Sequence, residues 1–148
     1  MDQNIISFTV KESFNKLINL YSFRLKQEIN DGQTYSIDFS SKDFVIKVEK
    51  YFREFYVSLH KITDPDNGIN LFNLLEYLKE GTVNVPKSEY FRKEKDIEEC
   101  YKKQLNHIST VIYENYSLIS DFFSNDDYEI KILEFEKYWK NKHPEFYQ

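Results

Sequence analysis

Apolar and polar residues alternate with a period of two through much of the first half of the chain. This spacing is typical of β-strands that bury one face, because successive side chains point to opposite sides of a strand. Four such runs follow one another. Their predicted inward-facing residues are Phe23, Leu25 and Ile29, then Tyr35, Ile37 and Phe39, then Phe44, Ile46 and Val48, and finally Phe55, Val57 and Leu59.

Short polar segments separate the four runs, so consecutive strands are expected to pair as an antiparallel β-meander. The expected turns are at Asp31-Gly32, at Ser40-Ser41-Lys42 and near Lys50 to Arg53. After the fourth strand, Thr63 to Gly68 is rich in Asp, Asn, Pro and Gly and is predicted to be a loop.

Apolar residues spaced by three and four predict helices on both sides of the strands. The segment Thr9 to Glu12 has the form of a capping box, so the first helix is expected to begin there and to end near Tyr21. After the loop, Asn70 is expected to cap a leucine-rich helix that ends before Gly81.

One long helix is predicted in the second half of the chain, beginning at Ser88 or Asp96 and continuing to Phe123. Ser124 to Asp127 ends it and caps a last helix, which stops at His143-Pro144. The predicted fold is a single α+β domain over residues 1–148. Its order is α-β-β-β-β-α-α-α, with a four-stranded antiparallel β-meander packed on helices.

The net charge of the chain limits the classes of partner that it is expected to bind. The chain has 25 acidic and 20 basic residues and a net charge of −5, which disfavours nucleic acid and anionic membranes and favours a basic partner. Its one cysteine, Cys100, cannot form an internal disulfide. The N-terminal segment lacks a secretory signal, and no apolar run reaches the ~20 residues that cross a bilayer. We therefore expect a cytoplasmic protein.

The residue types that usually carry catalysis or metal binding are isolated in this sequence. His60, His107 and His143 have no short spacing to one another or to Cys100, so neither a zinc site nor a Cys–His pair is expected. The glycines are separate, which argues against a phosphate-binding loop. Thr63 to Gly68 also fails the register of a calcium-binding loop. We expect no cofactor, no metal and no catalytic residue, and the chain is not predicted to be an enzyme.

Aromatic residues are the other unusual feature, with 13 Phe, 12 Tyr and one Trp. Most of them fall on faces that are predicted to be buried. Tyr51 and Phe52 instead fall at a strand reversal, Tyr113 lies off the main apolar stripe of the long helix, and Phe146-Tyr147 lie in the tail. Tyrosines next to carboxylates are typical of protein-binding surfaces, so this feature favours a binding protein.

The segment DFVIKVEKYFREFYVSLHKITDPDNGINLFNLLEYL, from Asp43 to Leu78, combines two strands, an Asp-Pro turn and a leucine-rich helix. In this pattern the chain resembles a loose family of small bacterial proteins and is similar to immunity proteins of polymorphic toxin and contact-dependent inhibition systems. The resemblance implies a protein that binds a cognate toxin domain, often a cationic nuclease, and blocks its active site or its access to substrate. An acidic net charge suits that role, because complementary charge speeds encounter.

A toxin would then be expected to contact the acidic segments after the sheet and around the last helix junction. The predicted partner-binding residues are Asp64, Asp66, Tyr113, Asp121, Asp126, Asp127 and Glu129. Two alternatives stay open. One is an adaptor or other protein-binding module without a toxin partner, for which self-association through an edge strand is expected. The other is a small hydrolase with a site where His60, Asp64 and Asp66 converge.

Overall fold

The computed structural model describes residues 3–147 of the chain. The helices in this range are α1 (Gln3–Ser13), α2 (Asn15–Tyr21), α3 (Leu71–Leu78), α4 (Ile97–Glu114), α5 (Tyr116–Ser124) and α6 (Tyr128–Lys142), followed by a short 3₁₀ helix (Pro144–Tyr147). The strands are β1 (Arg24–Asn30), β2 (Tyr35–Ser40), β3 (Val45–Tyr51), β4 (Glu54–Lys61) and β5 (Asp64–Asn70). None of the helices in this range is both long and apolar enough to cross a membrane.

The strands form one antiparallel sheet in the order β1-β2-β3-β4-β5. The α+β class and the antiparallel meander are confirmed, but the predicted count of four strands and the predicted element order are wrong. Strand β5 occupies most of the predicted loop from Thr63 to Gly68 and pairs with β4, where Leu59 lies opposite Ile69. The register shifts between His60, opposite Gly68, and Lys61, opposite Asp64, so residues 65–67 have no opposite residue on β4. An edge strand tolerates proline at such an irregularity.

The core lies between one face of the sheet and helices α1, α3, α4 and α5. The predicted inward-facing residues of β2, β3 and β4 are all buried, which confirms the period-two pattern in these strands. Ile37, Val48 and Val57 lie side by side on the three central strands, and each is at most 2% exposed. Burying a side chain of this size contributes about 1.5–3 kcal/mol. The central strands and their helices therefore form the part of the molecule that supports both sheet edges.

Strand β1 departs from the predicted pattern. Its apolar residues Leu25 and Ile29 are 50% and 40% exposed, whereas Phe23, directly before the strand, is buried. β1 has one neighbour only, and its pairing with β2 shifts register between Leu25 and Gln27. Alternation of apolar residues does not distinguish an edge strand from a central one, so the prediction of a buried face was wrong here.

The first helix begins earlier than predicted and is broken. α1 already starts at Gln3, and the Thr9 hydroxyl donates to the Ile5 carbonyl at 2.7 Å instead of capping a helix start. Threonine commonly forms this bond inside a helix, which explains why the capping-box pattern was misleading. Phe14 separates α1 from α2, and the predicted end near Tyr21 is confirmed.

The predicted long helix is two helices, because Asn115 interrupts it between α4 and α5. The Asn115 side-chain amide donates to the Val111 carbonyl at 2.8 Å, and its oxygen accepts from Lys79 Nζ at 3.0 Å. An asparagine side chain that bonds to nearby backbone in this way competes with helix propagation. The predicted N-cap at Asn70 is confirmed, and of the two predicted starts of the long helix, Ser88 and Asp96, the structure has Asp96. Each of these two cap side chains, Asn70 and Asp96, accepts two backbone N–H groups.

A buried glutamine joins helix α4 to the β3–β4 hairpin. Gln104 is fully buried; its Oε1 accepts from the Phe55 N–H at 3.0 Å, and its Nε2 donates to the Arg53 carbonyl at 2.8 Å. These two bonds satisfy the backbone directly after the turn, where ladder bonding to β3 begins.

Replacing Gln104 by leucine should lower the free energy of unfolding by about 1–3 kcal/mol, because the Phe55 N–H and the Arg53 carbonyl lose their partners. Urea denaturation measures the effect. The matched control is Gln33→Leu, at an exposed loop position, which should change stability by less than about 0.5 kcal/mol. Equal stability of the two variants would contradict the structural role of Gln104.

A carboxylate on β1 receives three hydrogen bonds, two from α1 and one from β2. Glu28 accepts from the hydroxyls of Ser7 at 2.6 Å and Tyr35 at 3.0 Å, and from Lys11 Nζ at 3.2 Å. Partial burial raises the pKa of Glu28, but the three donors together outweigh burial and hold its pKa below the ordinary value of 4.5. The ionised form is therefore favoured in the folded protein.

A carboxyl group whose pKa is lowered by folding stabilises the fold at pH values above its ordinary pKa. That contribution is lost as the pH falls through the lowered pKa. We expect Glu28→Gln to be less stable than the parent protein at neutral pH, and the difference to shrink as the pH falls below 4.5. Unfolding free energies measured across this pH range test the expectation. Ser7→Ala should reduce the pH dependence in part, and a difference between Glu28→Gln and the parent that does not vary with pH would refute it.

Candidate functional site

A groove of about 450 Å³ separates the edge strand β5 from helix α6, and we call it the acidic groove. Its walls carry three carboxylates and four aromatic rings: Asp64, Glu129, Glu136, Tyr128, Phe135, Trp139 and Tyr147. Amide side chains from β5 and α3 also line the groove. The groove therefore presents negative charge on an aromatic base.

Three hydrogen bonds fix the walls of the acidic groove. The Trp139 indole N–H donates to the Asn73 carbonyl at 3.0 Å and so ties α6 to the start of α3. Lys61 Nζ, at the end of β4, donates to the Phe123 carbonyl at 2.8 Å and lies 4.8 Å from the Tyr128 ring centroid. Within β5, Asn67 donates to Asp64 at 2.8 Å. These bonds connect the walls of the groove to α3, α5 and β4.

The charged side chains that line the acidic groove are all carboxylates. None of the described residues that line it is basic. Burial raises the pKa of the Tyr128 hydroxyl, and the charges of Asp64, Glu129 and Glu136 raise it further. These carboxylates favour a bound cation in the same way as they oppose a phenolate, because both effects follow from Coulomb's law.

The structure brings some of the predicted partner-binding residues together. Asp64 and Glu129 both line the acidic groove. Asp127 forms an ion pair with Lys131 at 3.2 Å, and the same lysine donates to the Asp121 carbonyl at 2.7 Å. Lys131 therefore offsets the negative charge at the α5–α6 junction. Asp66, within β5, and Asp126, before the start of α6, are exposed and are not among the residues that line the groove.

Sequence reasoning missed Glu136, which contributes the third carboxylate of the acidic groove. Glu136 follows Glu129 by seven residues, which is close to two helical turns, so both lie on one face of α6. The acidic residues that flank the apolar stripe of α6 would have indicated this face. Asn67 and Asn70 were interpreted as turn and cap residues only, and Asn73 was assigned no role.

Tyr113, also predicted to bind a partner, lies outside the acidic groove. Its ring packs against Tyr21 of α2, and Lys16 Nζ lies 4.1 Å from its centroid. It is half-buried and is not among the residues that line the acidic groove. Tyr113 is therefore a contact between α4 and α2 in the structure, whereas its predicted role as an aromatic anchor concerns a separate surface.

His60 does not converge with the two aspartates of the predicted hydrolase site. It lies on the face of the sheet opposite the core, buried beside Gly68, and its Nε2 is 2.8 Å from the Ser58 hydroxyl oxygen. Burial lowers the pKa of His60. Asp64 instead lines the groove against α6. Within residues 3–147, no three His, Cys, Asp or Glu side chains are grouped to hold a metal ion.

Two exposed aromatic residues form the tip of the β3–β4 hairpin, and we call them the aromatic tip. Tyr51 is 65% exposed and Phe52 is 76% exposed, with their ring centroids 4.5 Å apart. Phe52 has a φ of 55°, and Lys50 Nζ donates to its carbonyl at 2.8 Å. A side chain in this left-handed region costs about 1–2 kcal/mol, so a bulky aromatic residue here is unfavourable for the turn itself.

Comparisons with protein-family models, curated proteins and solved structures found no match to this chain.

Replacing Phe52 by glycine or asparagine should leave the free energy of unfolding unchanged or raise it by up to about 1 kcal/mol. Glycine and asparagine relieve the positive φ, while glycine adds about 0.5–1 kcal/mol of unfolded-state entropy that partly offsets the gain. Thermal and urea denaturation measure the change. Phe55→Ala, at a buried position of the same hairpin, is the contrasting variant and should lose about 3–5 kcal/mol. A comparable loss at Phe52 would show that its ring supports the fold.

Proposed function

We propose that this chain is an immunity protein that binds a basic bacterial toxin domain and neutralises it. The observation that carries the proposal is the acidic groove, where three carboxylates surround an aromatic base and no described lining residue is basic. A groove with this lining suits a lysine or arginine side chain of a partner protein. The proposal also rests on the resemblance of Asp43 to Leu78 to immunity proteins.

An arginine of the partner fits this lining in two ways. Its aliphatic stem can pack on Ile132 and Trp139, while its guanidinium bonds to the carboxylates of Glu129 and Glu136. Bonds between ionised donors and acceptors are stronger than neutral ones and fix the orientation of the bound group. The groove thus selects for positive charge, and its pre-formed walls limit the ordering cost of binding.

The aromatic tip supplies a second kind of contact. Exposed Tyr and Phe side chains on a fixed turn give large apolar contact area, which is the character of residues that dominate protein interfaces. The tip and the acidic groove lie at opposite ends of β4, roughly 24 Å apart for a strand of this length. A toxin that contacts both would cover one whole edge of the molecule.

An adaptor without a toxin partner is the second candidate. Strands β1 and β5 are both sheet edges with one neighbour each, and open edges favour pairing with another chain. The same surfaces would then hold a partner whose activity is not lethal. Growth rescue distinguishes the two candidates, because only an immunity protein protects cells.

The direct test is co-expression with the product of the adjacent upstream reading frame, with growth and co-purification as readouts. We expect protection and a stable complex. Glu129→Lys combined with Glu136→Lys should weaken the complex by about tenfold or more, because a basic partner then meets like charge in the groove. Affinity is measured by calorimetry at two salt concentrations, and the parent complex should weaken at higher salt.

Glu12→Lys combined with Glu114→Lys is the matched control, since it makes the same charge change at exposed positions of α1 and α4. Circular dichroism establishes that both double variants fold. Equal weakening by both would show that net charge acts and that the groove does not. A complex without growth rescue would favour the adaptor, and no complex at all would remove the proposal.

A further inference from the structure

A larger cavity, of about 930 Å³, lies where α2 meets β1 and the β2–β3 turn. We call it the basic cavity, because its lining includes Arg24, Lys26 and Lys42. Pockets of about 300–1,000 Å³ are the usual size for small-molecule sites. The proposed binding of a toxin does not use this cavity.

The charge of the basic cavity is opposite to that of the whole chain. Three cations face one carboxylate, Asp43, which accepts a hydrogen bond from the Tyr116 hydroxyl at 3.0 Å. None of the three cations forms an ion pair with another residue in the described range 3–147. All three are exposed in a chain with a net charge of −5. Uncompensated positive charge in a concave site attracts an anion.

The backbone departs from regular geometry on the wall of this cavity. The register of β1 against β2 shifts between Leu25 and Gln27, so Lys26 is the extra residue of a β-bulge. As a result, three consecutive residues, 24–26, all line the cavity, which an alternating strand would not allow. Ser22, also on the wall, has a φ of 56°. Bulges and positive φ values re-aim side chains and are frequent at binding sites.

The basic cavity also has an apolar part. Leu20 and Leu25 are 57% and 50% exposed, and both line it. Tyr21 lies next to them and stacks on Tyr116. Exposed leucines that meet in a concave site are covered only when an apolar group fills it, so the ligand that fits carries both an anion and an apolar or aromatic group.

We propose that the basic cavity binds a small organic phosphate, that is, a phosphate ester with an aromatic or aliphatic group. Three cations and the exposed hydroxyl of Ser22 supply several donors, which suits the several oxygens and double charge of a phosphate better than a single carboxylate. The two leucines and Tyr21 receive the organic group. This site is independent of the proposed toxin binding.

Phenyl phosphate is the minimal probe, since it combines the two parts that the cavity requires. Titration of the ¹⁵N-labelled chain followed by NMR should give saturable shifts confined to residues 20–26, 40–43 and 116. Inorganic phosphate and phenol, each carrying one part, should bind at least about tenfold more weakly. Adenosine monophosphate in a parallel titration distinguishes a nucleotide site from a site for other phosphate esters.

Lys26→Ala and Lys42→Ala should each weaken phenyl phosphate by about tenfold, and Leu25→Ser should remove its advantage over inorganic phosphate. Lys137→Ala and Lys140→Ala, at exposed positions of α6, are the matched controls and should change nothing. No saturable shift up to about 10 mM of either ester, or equal weakening by the α6 variants, would overturn the proposal. Neither outcome bears on the toxin complex.

Discussion

The burial of one face of β2, β3 and β4 beneath the helices is the constraint on which the rest of the molecule depends. Side chains in the central row, such as Ile37, Val48 and Val57, have neighbours on every side, so these strands have little freedom to vary. The edge strands carry a smaller share of the core. β1 exposes Leu25, and β5 buries Ile69 as its one fully covered apolar side chain. The two sheet edges are therefore where the chain can form grooves without loss of its core.

Both cavities described above follow from that division, and they have opposite charge. The acidic groove lies along β5, and the basic cavity lies along β1, so the full width of the sheet separates them. A net charge of −5 describes only the sum. Its sign agrees with that of the acidic groove but is opposite to that of the cluster formed by Arg24, Lys26 and Lys42. Local charge, and not the total, determines which ligand each edge attracts.

Sequence periodicity predicted the central sheet because burial enforces it. Tyr35 to Phe39 and Phe55 to Leu59 show strict alternation, and the caps at Asn70 and Asp96 follow from side-chain hydrogen bonding near a helix start. Where burial is weak, local residue types mislead. β5 consists mostly of turn-forming residues, and it is a strand because it pairs with β4. Asn115 breaks a helix whose apolar stripe continues unchanged on both sides, so spacing does not reveal the break.

The candidate sites were harder to predict than the fold, since they depend on contacts between distant segments. Asp64 and Glu129 were found from charge alone and the spacing along α6 indicates Glu136, but only the placement of α6 beside β5 brings the three carboxylates together. The β-bulge at Lys26 has no signature in the sequence, as it is defined by register against β2. The long-range pairing of the strands must be known before residues at a sheet edge can be assigned to one site.

Hydrogen bonds from buried and half-buried side chains support the exposed turn that carries the aromatic tip. Gln104 is fully buried, yet its two backbone bonds hold the β4 end of the turn that carries the aromatic tip. Lys50 Nζ adds a third hydrogen bond, to the carbonyl of Phe52. A side chain kept at positive φ by such support loses little further freedom when a partner covers it. These bonds support the unfavourable backbone at Phe52, and its ring is left exposed where an interface can use its area.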